Sequence, residues 1–224
     1  IDKEMKIHVD EHISRVCPTF VGAALSITIT NSTYCPALWE EINSELEAYR
    51  RRFTTESIKD MPSIQATRRI YKALGKDPSR YRPSGEALVR RTLQGKDLYQ
   101  IDTAVDLINL ASITYGYSIG GFDADKIEGE ELTLGVGREG EPYEGIGRGP
   151  VNICSLPVYR DSMGGIGTPT TDHERTKLSL STTHLLAIVN GYDGNREQVE
   201  LCVRCIQTLA ERYAEGRDGH TIGF

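Results

Sequence analysis

The chain changes character near its midpoint, and this change limits the folds open to it. Residues 36–116 carry apolar side chains at helical spacing, between capping residues and terminal glycines. After residue 116, short β-branched and apolar runs alternate with glycine-rich turns. Helices in one half and strands in the other are typical of an α+β domain, with the helices packed on one side of the sheets.

Four helices are predicted in the first half, and a fifth amphipathic helix is predicted near residues 195–215. The four begin at a proline or at a predicted N-cap: Pro36, Ser63, Ser84 and Asp102. Strands are predicted over residues 20–30, 120–127, 131–136, 150–159 and 177–189, with an exposed hairpin loop over 137–149. With no repeat or long linker in between, residues 1–224 are expected to form one domain.

Five cysteines at scattered positions do not resemble a disulfide framework, so reduced thiols and a cytoplasmic location are expected. Cys202 and Cys205 form a C-x-x-C pair, but they lie on the last predicted helix without two further ligands. We therefore expect core thiols, no metal and no cofactor. No apolar run approaches the ~20 residues of a membrane span, so no membrane contact is expected.

Positive charge is concentrated in one segment of an acidic chain. The formal net charge is −6, yet residues 50–91 hold twelve basic residues against four acidic ones, a net +8. Such a zone can steer a polyanion, and it predicts RNA contacts by Arg68, Arg69, Arg80, Arg82, Arg90 and Arg91. The alternative is a solvated helical face whose arginines pair with acids elsewhere.

The glycine-rich stretch "MGGIGTPTTDHERT", from Met163 to Thr176, is the most unusual segment. It is not a phosphate-binding P-loop, because it lacks the lysine and because Pro169 removes a backbone N–H. Backbone amides of such a turn can still hold an oxyanion or a carboxylate. Three polar residues that follow, Asp172, Arg175 and Thr176, are candidates for chemistry at this turn.

Four sequence blocks follow one another in a recognisable order. They are "SGEALVRRTL" from Ser84, "GKDLYQIDTAVDLIN" from Gly95, "GYSIGGFD" from Gly116 and the glycine-rich stretch from Met163. Together they resemble the editing module of the bacterial phenylalanyl-tRNA synthetase β subunit, formed by that subunit's third and fourth structural domains. The resemblance covers about residues 62–190 and is closest to free-standing relatives of the module.

The resemblance implies a three-layer α+β fold with an unusual β-sandwich flanked by helices. It also implies hydrolysis of an amino acid wrongly attached to tRNA, with tRNA or aminoacyl-tRNA as partner. The implied pocket lies between residues 122–123 and the 163–168 loop. Its predicted residues are Asn109, Gly120, Phe122, Asp161, Gly164, Gly165, Gly167 and Thr168.

The chain departs from the family at three polar positions. The pocket histidine of the family falls on Gly120, its arginine falls on Tyr99, and its glutamate falls within residues 179–181. Hydrolysis would then depend on positioning by Asp172, Arg175 and Thr176, unless Asp172 and Arg175 only pair with each other. Two alternatives to hydrolysis remain: a protein that binds a free amino acid without catalysis, and a non-catalytic interaction module.

Overall fold

The computed structural model describes residues 4–224, which contain six α-helices and ten strands. The helices are α1 (Glu11–Val16), α2 (Pro36–Arg52), α3 (Pro62–Leu74), α4 (Ser84–Leu93), α5 (Thr103–Tyr115) and α6 (Arg196–Tyr213). The strands are β1 (Lys6–Val9), β2 (Val21–Thr28), β3 (Ile119–Asp123), β4 (Glu131–Val136), β5 (Glu144–Gly145), β6 (Gly149–Pro150), β7 (Pro157–Arg160), β8 (Gly165–Gly167), β9 (His184–Gly191) and β10 (Arg217–Gly223). These helices and strands confirm the predicted α+β class.

Two four-stranded sheets form a β-sandwich. The central sheet has the order β10-β2-β9-β3 and is antiparallel throughout. The outer sheet has the order β1-β4-β7-β8, with β1 and β4 parallel and the other pairs antiparallel. Strands β5 and β6 form a separate short hairpin.

The two inner strands of the central sheet, β2 and β9, are buried on both faces, which makes the domain three layers deep. Along β2, Leu25 and Ile27 pack against α2, α5 and α6, which we call the helix layer, whereas Ala24 packs against the outer sheet. Strand β9 alternates in the same way, with Ala187 toward the helices and Ile188 toward the outer sheet. Burial on both faces explains the apolar run from Val21 to Leu25 in β2 and confirms the three-layer prediction.

Helix starts follow proline geometry more than serine capping. Asp102 caps α5 as predicted, since its carboxylate accepts the N–H of Val105. Ser63 and Ser84 instead lie inside α3 and α4, so their prediction as N-caps was wrong. Pro62 occupies the first position of α3, where the missing N–H carries no penalty, and Ser63 donates to the Tyr115 carbonyl.

Several strands of the second half are shorter than predicted. The prediction over residues 177–189 was wrong at its start, because β9 begins at His184. The preceding residues turn around Thr182, whose hydroxyl accepts the N–H of Ser179 and donates to Asp123. The glycine-rich stretch, predicted as a turn, contributes the edge strand β8 of the outer sheet.

No helix within residues 4–224 is both long enough and apolar enough to traverse a bilayer. Cys202 of the C-x-x-C pair is fully buried in the core between the helix layer and the central sheet. Cys205 is partly buried against the same core, and burial raises its pKa to about 11. Both cysteines therefore pack as thiols on α6.

Candidate functional site

A cavity of about 270 Å³ lies between α5 and the edge strand β3. We call it the α5–β3 cavity. Six aliphatic side chains line it: Ile101, Val105, Ile108, Ile119, Ile146 and Leu178. The remaining lining residues are Asn109, Gly121, Asp172 and Lys177. A small, mostly aliphatic cavity with a few polar groups has the composition of a small-molecule site.

Local geometry explains how these residues converge. Val105, Ile108 and Asn109 share one face of α5 because they are three and four residues apart. Ile119 and Gly121 share one face of β3 because side chains alternate along a strand. Asp172, Lys177 and Leu178 line the cavity from the segment between β8 and β9. Ile146 reaches it from the β5–β6 turn.

Gly121 keeps the cavity open. A Cβ atom at this position would lie 2.8 Å from Cδ1 of Ile108 and 3.1 Å from Cδ1 of Leu178. Any larger residue would therefore push against two side chains of the lining. The backbone N–H of Gly121 faces Asp172, and its nitrogen lies 3.4 Å from Oδ2.

Asp172 is the principal titratable group of the cavity. Its Oδ2 accepts the long hydrogen bond from Gly121, and in the described part of the chain no lysine or arginine pairs with its carboxyl group. Burial in these surroundings raises the pKa of Asp172 to about 8. A carboxyl group with a pKa raised this far can exchange protons with a bound water or ligand.

Asn109 and Lys177 supply the other polar groups. Asn109 is half-buried, and among residues 4–224 its side-chain amide has no hydrogen-bond partner. Lys177 is partly exposed, and its Nζ lies 2.6 Å from a carboxylate oxygen of Glu174. The amide of Asn109 is therefore free to donate to a carbonyl or an oxyanion within the cavity.

Residues 66–214 match the family model of the B3/4 domain. The chain belongs to the B3/4 domain family. This assignment confirms the resemblance carried by the four sequence blocks, and it extends beyond residue 190 to include α6.

This B3/4 domain is also similar in structure to an N-terminal fragment of the phenylalanyl-tRNA synthetase β subunit from Pyrococcus horikoshii. The two chains share 14% sequence identity with a TM-score of 0.49. The similarity covers 100% of this chain and 56% of that fragment, so the present chain spans little more than half of its length. No curated protein matches the chain.

Of the eight predicted pocket residues, the structure places only Asn109 in the α5–β3 cavity of the B3/4 domain. Gly120 and Phe122 lie on the opposite face of β3, toward the outer sheet, where the Phe122 ring packs against Gly167 of β8. The fully buried ring of Phe122 fills the space there, 2.7 Å from a Cβ at Gly120 and 2.5 Å from one at Gly167. The Phe122 ring therefore lies between Gly120 and Gly167.

The other predicted pocket residues build the turn that precedes Asp172. Asp161 accepts backbone N–H groups of Met163 and Gly164, which shapes the turn into β8. The Thr168 hydroxyl accepts the N–H groups of Thr170 and Thr171. Gly165 packs against Tyr143 and Val158. These residues thus position the segment that leads to Asp172 and do not line the cavity.

Arg175 and Thr176, proposed with Asp172 from the sequence, point elsewhere. Arg175 donates from Nη1 and Nη2 to the two carboxylate oxygens of Asp161, at 2.8 and 2.9 Å. The alternative pairing of Arg175 with Asp172 is therefore not formed. Thr176 is fully buried, and its hydroxyl has no hydrogen-bond partner in the described part of the chain. Asp172 alone of the three lines the cavity.

Sequence reasoning missed Gly121, Lys177 and Leu178. The alternation of side chains along β3 could have identified Gly121, because Phe122 is a core residue and its neighbour must face the other way. The family's glutamate position was placed within residues 179–181, just beyond Leu178. Leu180 there is 58% exposed, and Tyr99, at the family's arginine position, is 68% exposed. Neither residue lines the cavity.

The predicted RNA-binding arginines divide into two groups. Arg68, Arg82 and Arg90 surround Glu86, which is 1% exposed. Arg69 and Arg80 are exposed, and Arg91 stacks its guanidinium 4.0 Å from the ring centroid of Tyr99. Among the described residues, the alternative to RNA binding, pairing with an acidic side chain, therefore holds for Arg68, Arg82 and Arg90 but not for Arg69, Arg80 and Arg91.

The loop between α3 and α4 connects this basic surface to the turn before Asp172. The Thr170 hydroxyl donates to the Tyr81 carbonyl at 2.7 Å. The Ser84 N–H donates to the Pro169 carbonyl at 2.7 Å. The arginines of the loop are therefore attached to the segment that carries the cavity's titratable carboxyl group.

We expect replacement of Gly167 by alanine to destabilise the protein by about 1–3 kcal/mol. The added Cβ would lie 2.5 Å from Cζ of Phe122 and 2.8 Å from Oδ1 of Asp172, and the buried ring has little space to move. Urea unfolding measures the loss. Gly223→Ala is the matched control, since no atom of the described residues lies within 4 Å of a Cβ at this position. Equal stability of the two variants would contradict the packing described for Phe122.

Proposed function

We propose that this B3/4 domain hydrolyses the ester bond of an aminoacyl-tRNA in the α5–β3 cavity. The observation that carries the proposal is Asp172, which lines an aliphatic cavity and has no cationic partner among residues 4–224. Burial raises the pKa of this carboxyl group to about 8. The family resemblance supports the substrate, because the related module of phenylalanyl-tRNA synthetase removes wrongly attached amino acids. In this proposal the protein works in the cytoplasm and acts in trans on aminoacyl-tRNA.

Asp172 is the general base in this proposal. Its ionised carboxylate accepts a proton from a water molecule, and the water oxygen attacks the ester carbonyl carbon. The amide of Asn109 donates to the oxyanion that forms. When the intermediate collapses, the ribose oxygen leaves with the proton that Asp172 returns, so that free amino acid and tRNA are released. The aliphatic lining holds the amino-acid side chain.

Deacylation assays on a panel of aminoacyl-tRNAs test the proposal. We expect one or more mischarged tRNAs to lose the amino acid faster with the protein than without it. The panel should include aliphatic amino acids because six aliphatic side chains line the cavity. No acceleration on any tRNA, together with no retention of tRNA at low salt, would overturn the proposal.

We expect Gly121→Val to reduce deacylation by about 10²-fold, because its side chain would occupy the cavity and displace the substrate ester. The atoms that it meets, Cδ1 of Ile108 and Cδ1 of Leu178, are ends of flexible side chains, so the fold should persist. Circular dichroism and the melting temperature monitor folding, and Gly223→Val serves as control. Full activity of Gly121→Val would place the reaction outside this cavity.

A second candidate function is binding of a free amino acid without catalysis. The absence of the family's polar groups at Gly120 and Tyr99 favours it. In that case an amino acid would raise the melting temperature without any effect of RNA. Thermal-shift measurements with single amino acids, each with and without tRNA, separate the two functions.

A further inference from the structure

Three arginines converge on one buried carboxylate at the surface formed by α3 and α4. Glu86, on α4, accepts from Nη1 of Arg68 through both oxygens, at 2.9 and 3.0 Å. Its Oε2 also accepts from Nε of Arg90 at 3.0 Å and lies 3.2 Å from Nε of Arg82. We call Arg68, Arg82, Arg90 and Glu86 the Glu86 cluster. Its formal charge is +2, since one carboxylate faces three guanidinium groups.

Arg82 and Arg90 expose their unused donors. Their side chains are 44% and 31% exposed, whereas that of Arg68 is 17% exposed. Arg68 also uses its Nη2 on the Ser79 hydroxyl. In contrast, the Nη1 and Nη2 groups of Arg82 and Arg90 have no hydrogen-bond partner within residues 4–224. The buried carboxylate thus holds two guanidinium groups by their Nε side and leaves their outer edges free.

We infer that the Glu86 cluster binds a phosphate group between Arg82 and Arg90. The outer edge of a guanidinium group donates two parallel hydrogen bonds to two phosphate oxygens, and two such edges match one phosphate. Both Nε atoms lie within 3.2 Å of the same oxygen of Glu86, so the side chains are already ordered before binding. That order reduces the entropy lost on association.

The phosphate is that of an RNA backbone, an assignment that rests on the proposed function. The α3–α4 loop that carries Arg82 is hydrogen-bonded through Tyr81 to Thr170, two residues before Asp172. An aminoacyl-RNA whose ester lies in the cavity carries phosphates along the adjoining nucleotides. Arg80, which lies on the same loop, adds further positive charge there. A free phosphate ion offers the same chemistry, and the experiment below distinguishes the two sources.

The experiment compares two variants with equal changes in charge. Arg82→Gln/Arg90→Gln removes the free edges of the cluster. Arg15→Gln/Arg51→Gln removes two highly exposed arginines, each paired with a glutamate four residues earlier. The probe is a fluorescent single-stranded RNA of about 12 nucleotides, a length within the range that single-strand binding sites cover. Affinity is measured at several salt concentrations.

We expect Arg82→Gln/Arg90→Gln to bind the RNA about tenfold more weakly at low salt, with the salt slope reduced by about 0.7 for each lost contact. The control variant should change affinity less than about twofold, because its arginines are highly exposed and each uses an outer-edge nitrogen, Nη2, on its own glutamate. Arg82→Lys/Arg90→Lys should keep the salt slope because the charge is unchanged. It should lose affinity because an ammonium group cannot donate two parallel hydrogen bonds to a phosphate. Equal affinities of both charge-matched variants would overturn the inference, and melting temperatures confirm that each is folded.

Two further arms identify the source of the phosphate and separate this inference from the proposed function. If inorganic phosphate stabilises the wild type more than Arg82→Gln/Arg90→Gln while RNA affinity is unchanged, the assignment to RNA is wrong. Asp172→Asn should bind the RNA as the wild type does. Weakened binding by the arginine variant without any deacylation by the wild type would refute the proposed function alone. Deacylation with unaltered binding by the arginine variant would refute the phosphate site alone.

Discussion

Replacement of Asp172 by asparagine is expected to lower the rate of aminoacyl-ester hydrolysis by about 10²- to 10⁴-fold. Asparagine has nearly the same shape but cannot accept a proton from water. Single-turnover deacylation of a substrate identified in the panel measures the change. Glu139→Gln, which alters an exposed carboxylate, is the control and should keep full activity. An active Asp172→Asn variant would exclude the carboxyl group as the general base.

The same residue predicts the pH dependence of the wild-type reaction. Burial raises the pKa of Asp172 to about 8, and only the ionised form accepts a proton. The rate should therefore increase about tenfold per pH unit below 8 and become constant above it. A rate that falls as the pH rises through 8 would instead indicate that the protonated form of Asp172 acts.

As the pH rises, the free energy of unfolding should fall while the activity increases. An ordinary aspartate in the unfolded chain titrates near pH 3.9, so the folded state binds an extra proton at Asp172 between about pH 4 and pH 8. The free energy of unfolding therefore falls as the pH rises through this interval. Asp172→Asn removes this loss and should melt at a higher temperature than the wild type at pH 8, with the difference shrinking toward pH 4. Loss of activity with a gain in stability cannot arise from misfolding.

Replacement of Asp161 by alanine is expected to destabilise the fold by about 3–5 kcal/mol. The carboxylate of Asp161 is fully buried and accepts both terminal nitrogens of Arg175. It also accepts N–H groups of Glu128, Met163 and Gly164. Its removal leaves a largely buried guanidinium group and several N–H groups without an acceptor. Urea unfolding at neutral pH measures the loss.

The pH dependence of this contribution has the opposite sign to that of Asp172. Burial alone would raise the pKa of Asp161, but the hydrogen bonds from Arg175 and the backbone hold it below its usual value. The contribution is present above the unfolded pKa of about 3.9 and is lost as the pH falls through the folded pKa. Glu47→Ala breaks an exposed ion pair with Arg51 and should cost about 0.5 kcal/mol or less. A similar small loss in Asp161→Ala would show that the pair with Arg175 does not hold the 161–175 segment together.

Local signals predicted five of the six helices of the described residues but not α1, and they were insufficient for some of the strands. The helical spacing of apolar residues after Pro36 predicted α2, and Asp102 and the end of this spacing at residue 116 correctly marked the ends of α5. The glycine-rich β8 has no apolar alternation, and it is a strand only because β7 pairs with it. Strands β1 and β10 likewise depend on partners distant in sequence, β4 and β2.

The candidate site was predictable in its segments but not in its geometry. The sequence indicated α5, β3 and the glycine-rich stretch, and all three lie at or beside the α5–β3 cavity. It did not indicate on which face of β3 the cavity lies. Phe122 was predicted to line the pocket, but its ring packs between the two sheets. Gly121, its neighbour on β3, lines the α5–β3 cavity.

The sequence by itself determined the α+β class, the ends of α5 and the family, because periodicity, capping and the order of short blocks are properties of neighbouring residues. Tertiary structure alone decided that Arg175 pairs with Asp161 and that no cationic side chain among residues 4–224 pairs with Asp172. It also decided that Glu86 gathers three arginines. Charge pairing and desolvation depend on contacts between elements, and burial beside residues distant in sequence is what raises the pKa of Asp172.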